Sequence, residues 1–162
     1  MKLRNALISV VAACVFAGLS ACSQGAEQRG TDDQITAAGN VDAFALHLGD
    51  CLISSQLEDT FNEVPGVPCS QAHDSEVVYI FDMPDGAFSD DDIKAAASDT
   101  CPDQVASYVG PNYATVTAGG LDWDYFSPSQ DSWTQGDREV DCVVYTIDGQ
   151  NDLTSSLKGL GN

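Results

Sequence analysis

Glu139-Val140-Asp141-Cys142-Val143-Val144-Tyr145-Thr146-Ile147 is the stretch from which the fold is read. Successive side chains of an extended strand point to opposite faces. Val140, Cys142 and Val144 therefore share one face, and Val143, Tyr145 and Ile147 the other. Val77-Val78-Tyr79-Ile80-Phe81 is likewise apolar on both faces and predicts a central strand covered on both sides. Leu121, Trp123 and Tyr125 alternate with Asp122 and Asp124, the pattern of a half-buried strand. Phe44-Ala45-Leu46-His47-Leu48 reads as a further short strand ending at Gly49-Asp50. Pro65-Gly66, Pro84-Asp85-Gly86 and Ala118-Gly119-Gly120 read as turns.

Against these strands stands one helical region. Ser89 precedes Asp90-Asp91-Asp92, an N-cap followed by acids in the positive first turn. Ile93, Ala97, Cys101, Val105 and Tyr108 then fall on one stripe. Thr100-Cys101-Pro102-Asp103 resembles a fresh capping box with proline near its start, which predicts two short helices broken near Thr100. Cys101 lies on the inward stripe and Cys142 among core positions of its strand, so a bond between them would pin helix to sheet. Cys51 and Cys69 flank one loop and form the second expected pair. The fold class expected is α+β, a small antiparallel sheet with two short helices on one side, stapled by two disulfides.

The chain has 162 residues, 25 acidic against 6 basic, and a formal charge of −19. That charge argues against a nucleic-acid partner, which would need a basic patch. Lys2 and Arg4 precede the apolar run Ala6–Gly18 and the ending Leu19-Ser20-Ala21-Cys22, the layout of an export signal. At ~1.5 Å per residue the run spans about 20 Å, short of a bilayer core of roughly 30 Å. The ending looks like a lipobox, so residues 1–21 are expected to leave as a lipoprotein signal and Cys22 to carry a lipid. Cys14 leaves with the signal. The mature chain keeps 4 basic and 25 acidic residues, or 4 − 25 = −21. Of its five cysteines, Cys22 takes the lipid and Cys51, Cys69, Cys101 and Cys142 remain as an even set for an oxidising compartment. Residues 22–40, with Ile35 as their one large apolar residue, read as a flexible tether. Residues 41–150 form the expected domain, and 151–162 a thin tail in which Leu153, Leu157 and Leu160 allow a weak terminal turn.

Several residue sets carry candidate chemistry. Ser70, His73 and Asp74 bring hydroxyl, imidazole and carboxylate together beside Cys69. A hydrolase would need its nucleophile within about 3 Å of the imidazole and a third group orienting the ring. The competing reading has His73 bonding backbone at the turn into the following strand. Cys51, Cys69, His47 and His73 offer a zinc set, which oxidising surroundings disfavour. Arg138, after Gly136-Asp137, offers an anion hook, or an Arg–Asp bridge that fixes its turn and stacks on Trp133. Asp90, Asp91, Asp92, Asp122, Asp124 and Asp131 lack the spacing of a calcium loop and read as a solvated surface. Tyr113, Trp123, Tyr125, Phe126 and Trp133 form either a glycan-stacking platform or ordinary packing.

Three ordered blocks bear a resemblance. They are Gly49-Asp50-Cys51, Val67-Pro68-Cys69-Ser70-Gln71-Ala72-His73-Asp74-Ser75-Glu76-Val77, and Trp133-Thr134-Gln135-Gly136-Asp137-Arg138-Glu139-Val140-Asp141-Cys142. With Cys101 between the last two, they resemble the septum formation domain of actinobacterial envelope proteins over about residues 49–145. The resemblance implies a role connected with septum formation and supplies no catalytic residues. The expectation is a non-enzymatic, lipid-anchored module on the extracytoplasmic face of the cell membrane, with an envelope protein as partner and no cofactor or metal. The alternatives are an envelope hydrolase using Ser70, His73 and Asp74, and a wall-ligand binder using Arg138 with the aromatics.

Overall fold

A computed structural model describes residues 28–55, 57, 61–112, 119–150 and 152–161. The signal segment, Cys22 and Tyr113 lie outside the described residues. The strands are β1 (Gln28–Arg29), β2 (Ile35–Ala37), β3 (Gly39–Asp42), β4 (Cys51–Leu52), β5 (Glu63–Val67), β6 (Ser75–Asp82), β7 (Leu121–Phe126) and β8 (Glu139–Thr146). The helices are α1 (Asp90–Val109) and α2 (Gln130–Thr134). Strands β1 and β2 pair with each other, and the other six form one antiparallel sheet in the order β3-β5-β4-β6-β8-β7. The expected α+β class, antiparallel sheet and both disulfides are present.

The sheet has a core on each face. Val78, Val140, Cys142 and Val144 pack under α1 and against Trp133 of α2. Val77 and Val143 pack on the opposite face with Ile35, Val41, Leu52 and Val64. A bulge in β6 makes this division possible. The register with β8 shifts between Val77 and Tyr79, so Val78 has no counterpart there. An extra residue breaks strict alternation, and Val78, Tyr79 and Phe81 all reach the helical side while Val77 and Ile80 face away.

Helix α1 is one continuous 20-residue helix, not two broken near Thr100. The second helix of the fold is α2, capped by Ser129. Pro102 removes the hydrogen bond that Ser98 would otherwise accept. Ser98 lies on the exposed side, where water can satisfy its carbonyl. Ile93, Ala97, Cys101, Val105 and Val109 form one buried stripe across the proline, and this packing outweighs the local break.

Both disulfides follow the expected pairing, Cys51–Cys69 with Cα atoms 5.2 Å apart and Cys101–Cys142 at 5.5 Å. In the loop-closure model, spans of 18 and 41 residues correspond to about 3 and about 4 kcal/mol. Replacing Cys101 and Cys142 together by alanine should therefore lower the free energy of unfolding by about 4 kcal/mol. The Cys51/Cys69 double variant should lose less, and urea titration of the pair checks the order.

Four local expectations are corrected. Residues 28–40 are not a tether throughout: they contribute β1, β2 and the start of β3, and Ile35 is buried. Arg29 donates to both carboxyl oxygens of buried Asp50 at 2.6 and 2.8 Å. Residues 44–48 turn instead of forming a strand, with Leu46 inward and Phe44 and Leu48 exposed. Pro65-Gly66 lies within β5 instead of a turn, and there a Cβ on Gly66 would fall 2.5 Å from Val41 and 2.7 Å from Ile35. Its missing side chain seats those two residues over the strand. The tail is docked as well: Leu157 is buried, and Leu153 exchanges backbone hydrogen bonds with His73 at 3.0 and 3.1 Å.

Candidate functional site

The Cys69–Asp74 segment carries structure, not a catalytic set. His73 is fully buried, and its Nδ1 donates to the Gln71 carbonyl at 2.7 Å. Asp74 accepts from Ser54 N at 2.7 Å, Ser55 N at 2.9 Å and Ser54 Oγ at 3.1 Å, tying down the chain after β4. Burial alone would raise its pKa, but these hydrogen bonds hold it below the usual carboxylate value. Ser70 remains at the surface. Burial of His73 and engagement of Asp74 overturn the Ser70-His73-Asp74 reading.

The zinc set does not assemble either. Cys51 and Cys69 are bonded to each other. Among the described residues, the grouping with ligand atoms within 4.8 Å is Cys51, Cys69 and Glu76, without His47 or His73. Asp90, Asp91, Asp92, Asp122, Asp124 and Asp131 are all exposed. The aromatic residues divide between faces: Trp123, Tyr125 and Trp133 pack on the helical side, whereas Phe126 meets Phe61 edge-on at 5.0 Å on the other.

Arg138 lies over the Trp133 ring at 3.9 Å and donates to its carbonyl at 2.9 Å. Its Nε sits 3.4 Å from the exposed carboxylate of Asp85. Trp133 is itself buried, with Nε1 donating to Gly86 O at 3.0 Å. The pair fixes the turn between α2 and β8, and His73 lies apart from it at the Leu153 bridge.

The groups that do converge follow that turn. Asp137, Glu139 and Asp141 alternate along the entry to β8 and line one pocket of about 290 Å³. Asp141 is 3% exposed and stands in register between Ile80 of β6 and Phe126 of β7. Such apolar flanks strip water from its carboxyl group. Burial, then the charges of Glu139, Asp137 and Asp50, push its pKa up to about 8. Glu139 faces Asp82 across the sheet, and burial followed by the charges of Asp82 and Asp137 raises it too. Among the described residues, Asp141 Oδ1 and Glu139 Oε1 are buried without a hydrogen-bond partner. Asp137 instead is engaged, accepting from Ser132 Oγ at 2.8 Å and Glu139 N at 3.1 Å.

A second cavity of about 620 Å³ adjoins the first, shares Phe44, Ser132, Asp137 and Glu139 with it, and is also lined by Arg138. Phe44 is 51% exposed at their common rim. The sequence reading passed over this acidic face. Its signal was the i, i+2, i+4 spacing of Asp137, Glu139 and Asp141, which also describes a solvent-facing edge.

A family model described as septum formation matches residues 18–142. The chain belongs to the septum formation family. The matched range takes in β1–β3, so the N-terminal strands are part of the septum formation domain. It ends at Cys142, two residues beyond Val140 in the same strand that carries Asp141. No curated protein and no solved structure matches the chain. Among the described residues, no helix of the domain is long and apolar enough to cross a membrane.

Proposed function

We propose that the chain is a non-enzymatic interaction module, lipid-anchored through Cys22 on the extracytoplasmic face of the cell membrane, that docks an envelope protein during septum formation. The observation that carries this reading is the acidic double cavity around exposed Phe44. An aromatic residue beside a concavity is the kind of anchor on which docking energy concentrates. A charge of −21 on the mature chain favours a basic partner and repels anionic lipid headgroups. The lipobox-like Leu19-Ser20-Ala21-Cys22 supports the anchor, and the family match supports the link to septum formation.

A photocrosslinker placed at position 44 in cells tests the reading. One envelope protein should be captured, and a fluorescent fusion should gather at the septum. Uniform distribution without a captured partner would contradict it. Cys22→Ala should move the protein from the membrane fraction to the soluble one.

A further inference from the structure

We propose that the 290 Å³ pocket over Asp141 receives the ammonium or guanidinium tip of a lysine or arginine side chain presented by the docked partner. This deepens the docking reading and rests on it. Three properties of the pocket point to such an occupant.

The floor holds acceptors without donors. Asp141 is only 3% exposed, yet among the described residues its Oδ1 meets no hydrogen-bond donor, and neither does Glu139 Oε1 beside it. Buried polar atoms are nearly always partnered, so two in one pocket mark a place where a donor arrives from outside. Among the described residues, those lining the pocket include Asp137, Glu139 and Asp141 but no lysine, arginine or histidine. Arg29 pairs with Asp50, and Arg138 with Trp133 and Asp85.

The walls are apolar. Phe44, Phe61, Phe126 and Pro128 surround the entrance to the carboxylates. A lysine or arginine side chain has the matching form, an aliphatic stem that packs on apolar surface and a charged tip with several donors. The aromatic rings add attraction for the cation. The pocket is also near the lower end of the roughly 300–1,000 Å³ typical of small-ligand sites, a size for one side chain.

The acids are spread too widely for a bare ion. Among the described residues, Asp137, Glu139 and Asp141 do not form a group of ligand atoms within 4.8 Å, whereas such a group is found around Glu76. A multi-donor organic cation spans carboxylates that a single metal ion would have to draw together.

The pocket also has a pH signature. The charged and titratable groups around Asp141 are Glu139 on its own strand, Asp137 before it, Asp50 from the loop preceding β4 together with its partner Arg29, and Asp82 opposite Glu139. Apart from Arg29, which is paired with Asp50, these groups are acids, so a proton on Asp141 must leave before a cation can pair with it fully.

The experiment is a titration of the full chain with N-acetyl-lysine methylamide, followed by amide shifts in β8, with the arginine and norleucine analogues alongside. The lysine and arginine analogues should bind saturably with Kd on the order of millimolar, as suits a one-side-chain ligand. The norleucine analogue, which has the stem without the charge, should bind at least about tenfold more weakly. Asp141→Asn should weaken lysine binding by a similar factor without lowering the melting temperature. Apparent affinity should rise about tenfold per pH unit up to about pH 8 and then level off, following the fraction of ionised Asp141. Equal binding of norleucine, indifference to Asp141→Asn, or displacement of the lysine analogue by millimolar Ca²⁺ would overturn the proposal. A partner that still crosslinks at position 44 in the Asp141→Asn protein with undiminished yield would leave docking intact and remove the cation pocket alone.

Discussion

Asp141→Asn is expected to raise the stability of the domain at pH 8 and to leave it nearly unchanged at pH 4. An aspartate in the unfolded chain loses its proton near pH 4, whereas burial between Ile80 and Phe126 keeps the Asp141 proton until about pH 8. Within that window the folded state holds a proton that the unfolded state has released. Stability must then fall as pH rises, by up to about 1.4 kcal/mol per unit. Asparagine has nearly the same shape and cannot ionise, so the variant escapes the fall. Allowing for relaxation around the ionised group, the gain at pH 8 is about 2–5 kcal/mol, or roughly 5–15 °C in melting temperature for a chain of this size. Thermal melts at pH 4, 6 and 8 check it. Parallel curves for the two proteins would mean that Asp141 ionises like a surface carboxylate. A group that costs stability where the protein works is one of the usual marks of a binding site.

The opposite sign is expected at Glu76. Its side chain is fully buried and accepts three hydrogen bonds, from Tyr108 Oη and Ser156 Oγ at 2.6 Å and from Leu157 N at 2.5 Å. These join β6 to the end of α1 and to the C-terminal segment, across 32, 80 and 81 residues of chain. Glu76→Ala leaves buried donors unpaired and opens a cavity at one point, and should cost about 4 kcal/mol or more. Glu76→Gln keeps the volume and should cost less. The two losses can be read separately. Hydrogen exchange at the Leu157 amide should accelerate beyond the global unfolding rate if the tail detaches first. Burial and then the Glu76 charge hold the Tyr108 hydroxyl above its ordinary pKa, so its ultraviolet titration should move back toward 10.0 in the alanine variant. An unshifted tyrosine titration would show that burial alone sets it.

What the sequence disclosed tracks how far each residue's neighbours in the chain resemble its neighbours in space. β8 and β6 were legible from runs apolar on both faces, which meet a core on each side of the sheet, and β7 from its alternation. The pairing of Cys101 with Cys142 followed from an inward helical stripe and an inward strand face. Residues 28–40 were not legible, since polar and small residues predominate there. Their order comes from Ile35 and Val41 settling over Gly66, a fit supplied by a strand more than twenty residues away. The 44–48 segment alternates in composition, yet a turn closed by Asp50 accepting from His47 N at 2.9 Å defeats the pattern. Asp141 was hidden for a related reason. Acids at alternate positions mark a solvent face unless something covers them, and the cover here is Phe61 on Phe126, brought from a distant loop.

Cys142 and Asp141 are neighbours in β8 with side chains on opposite faces of the sheet, one bonded to α1 and the other at the bottom of the pocket. The helix thus acts as a backing plate, welded to the strand one residue away from the acceptor. A strand held in this way cannot slip in register to suit an incoming group. Adjustment falls to the rim, where Phe44 is carried by the turn after β3 and Phe61 by the segment before β5. A base held by the disulfide and a rim carried by connecting segments would make the position of the charge less forgiving than the shape of the stem. Such a socket would tell a basic side chain from a neutral one more sharply than it tells lysine from arginine.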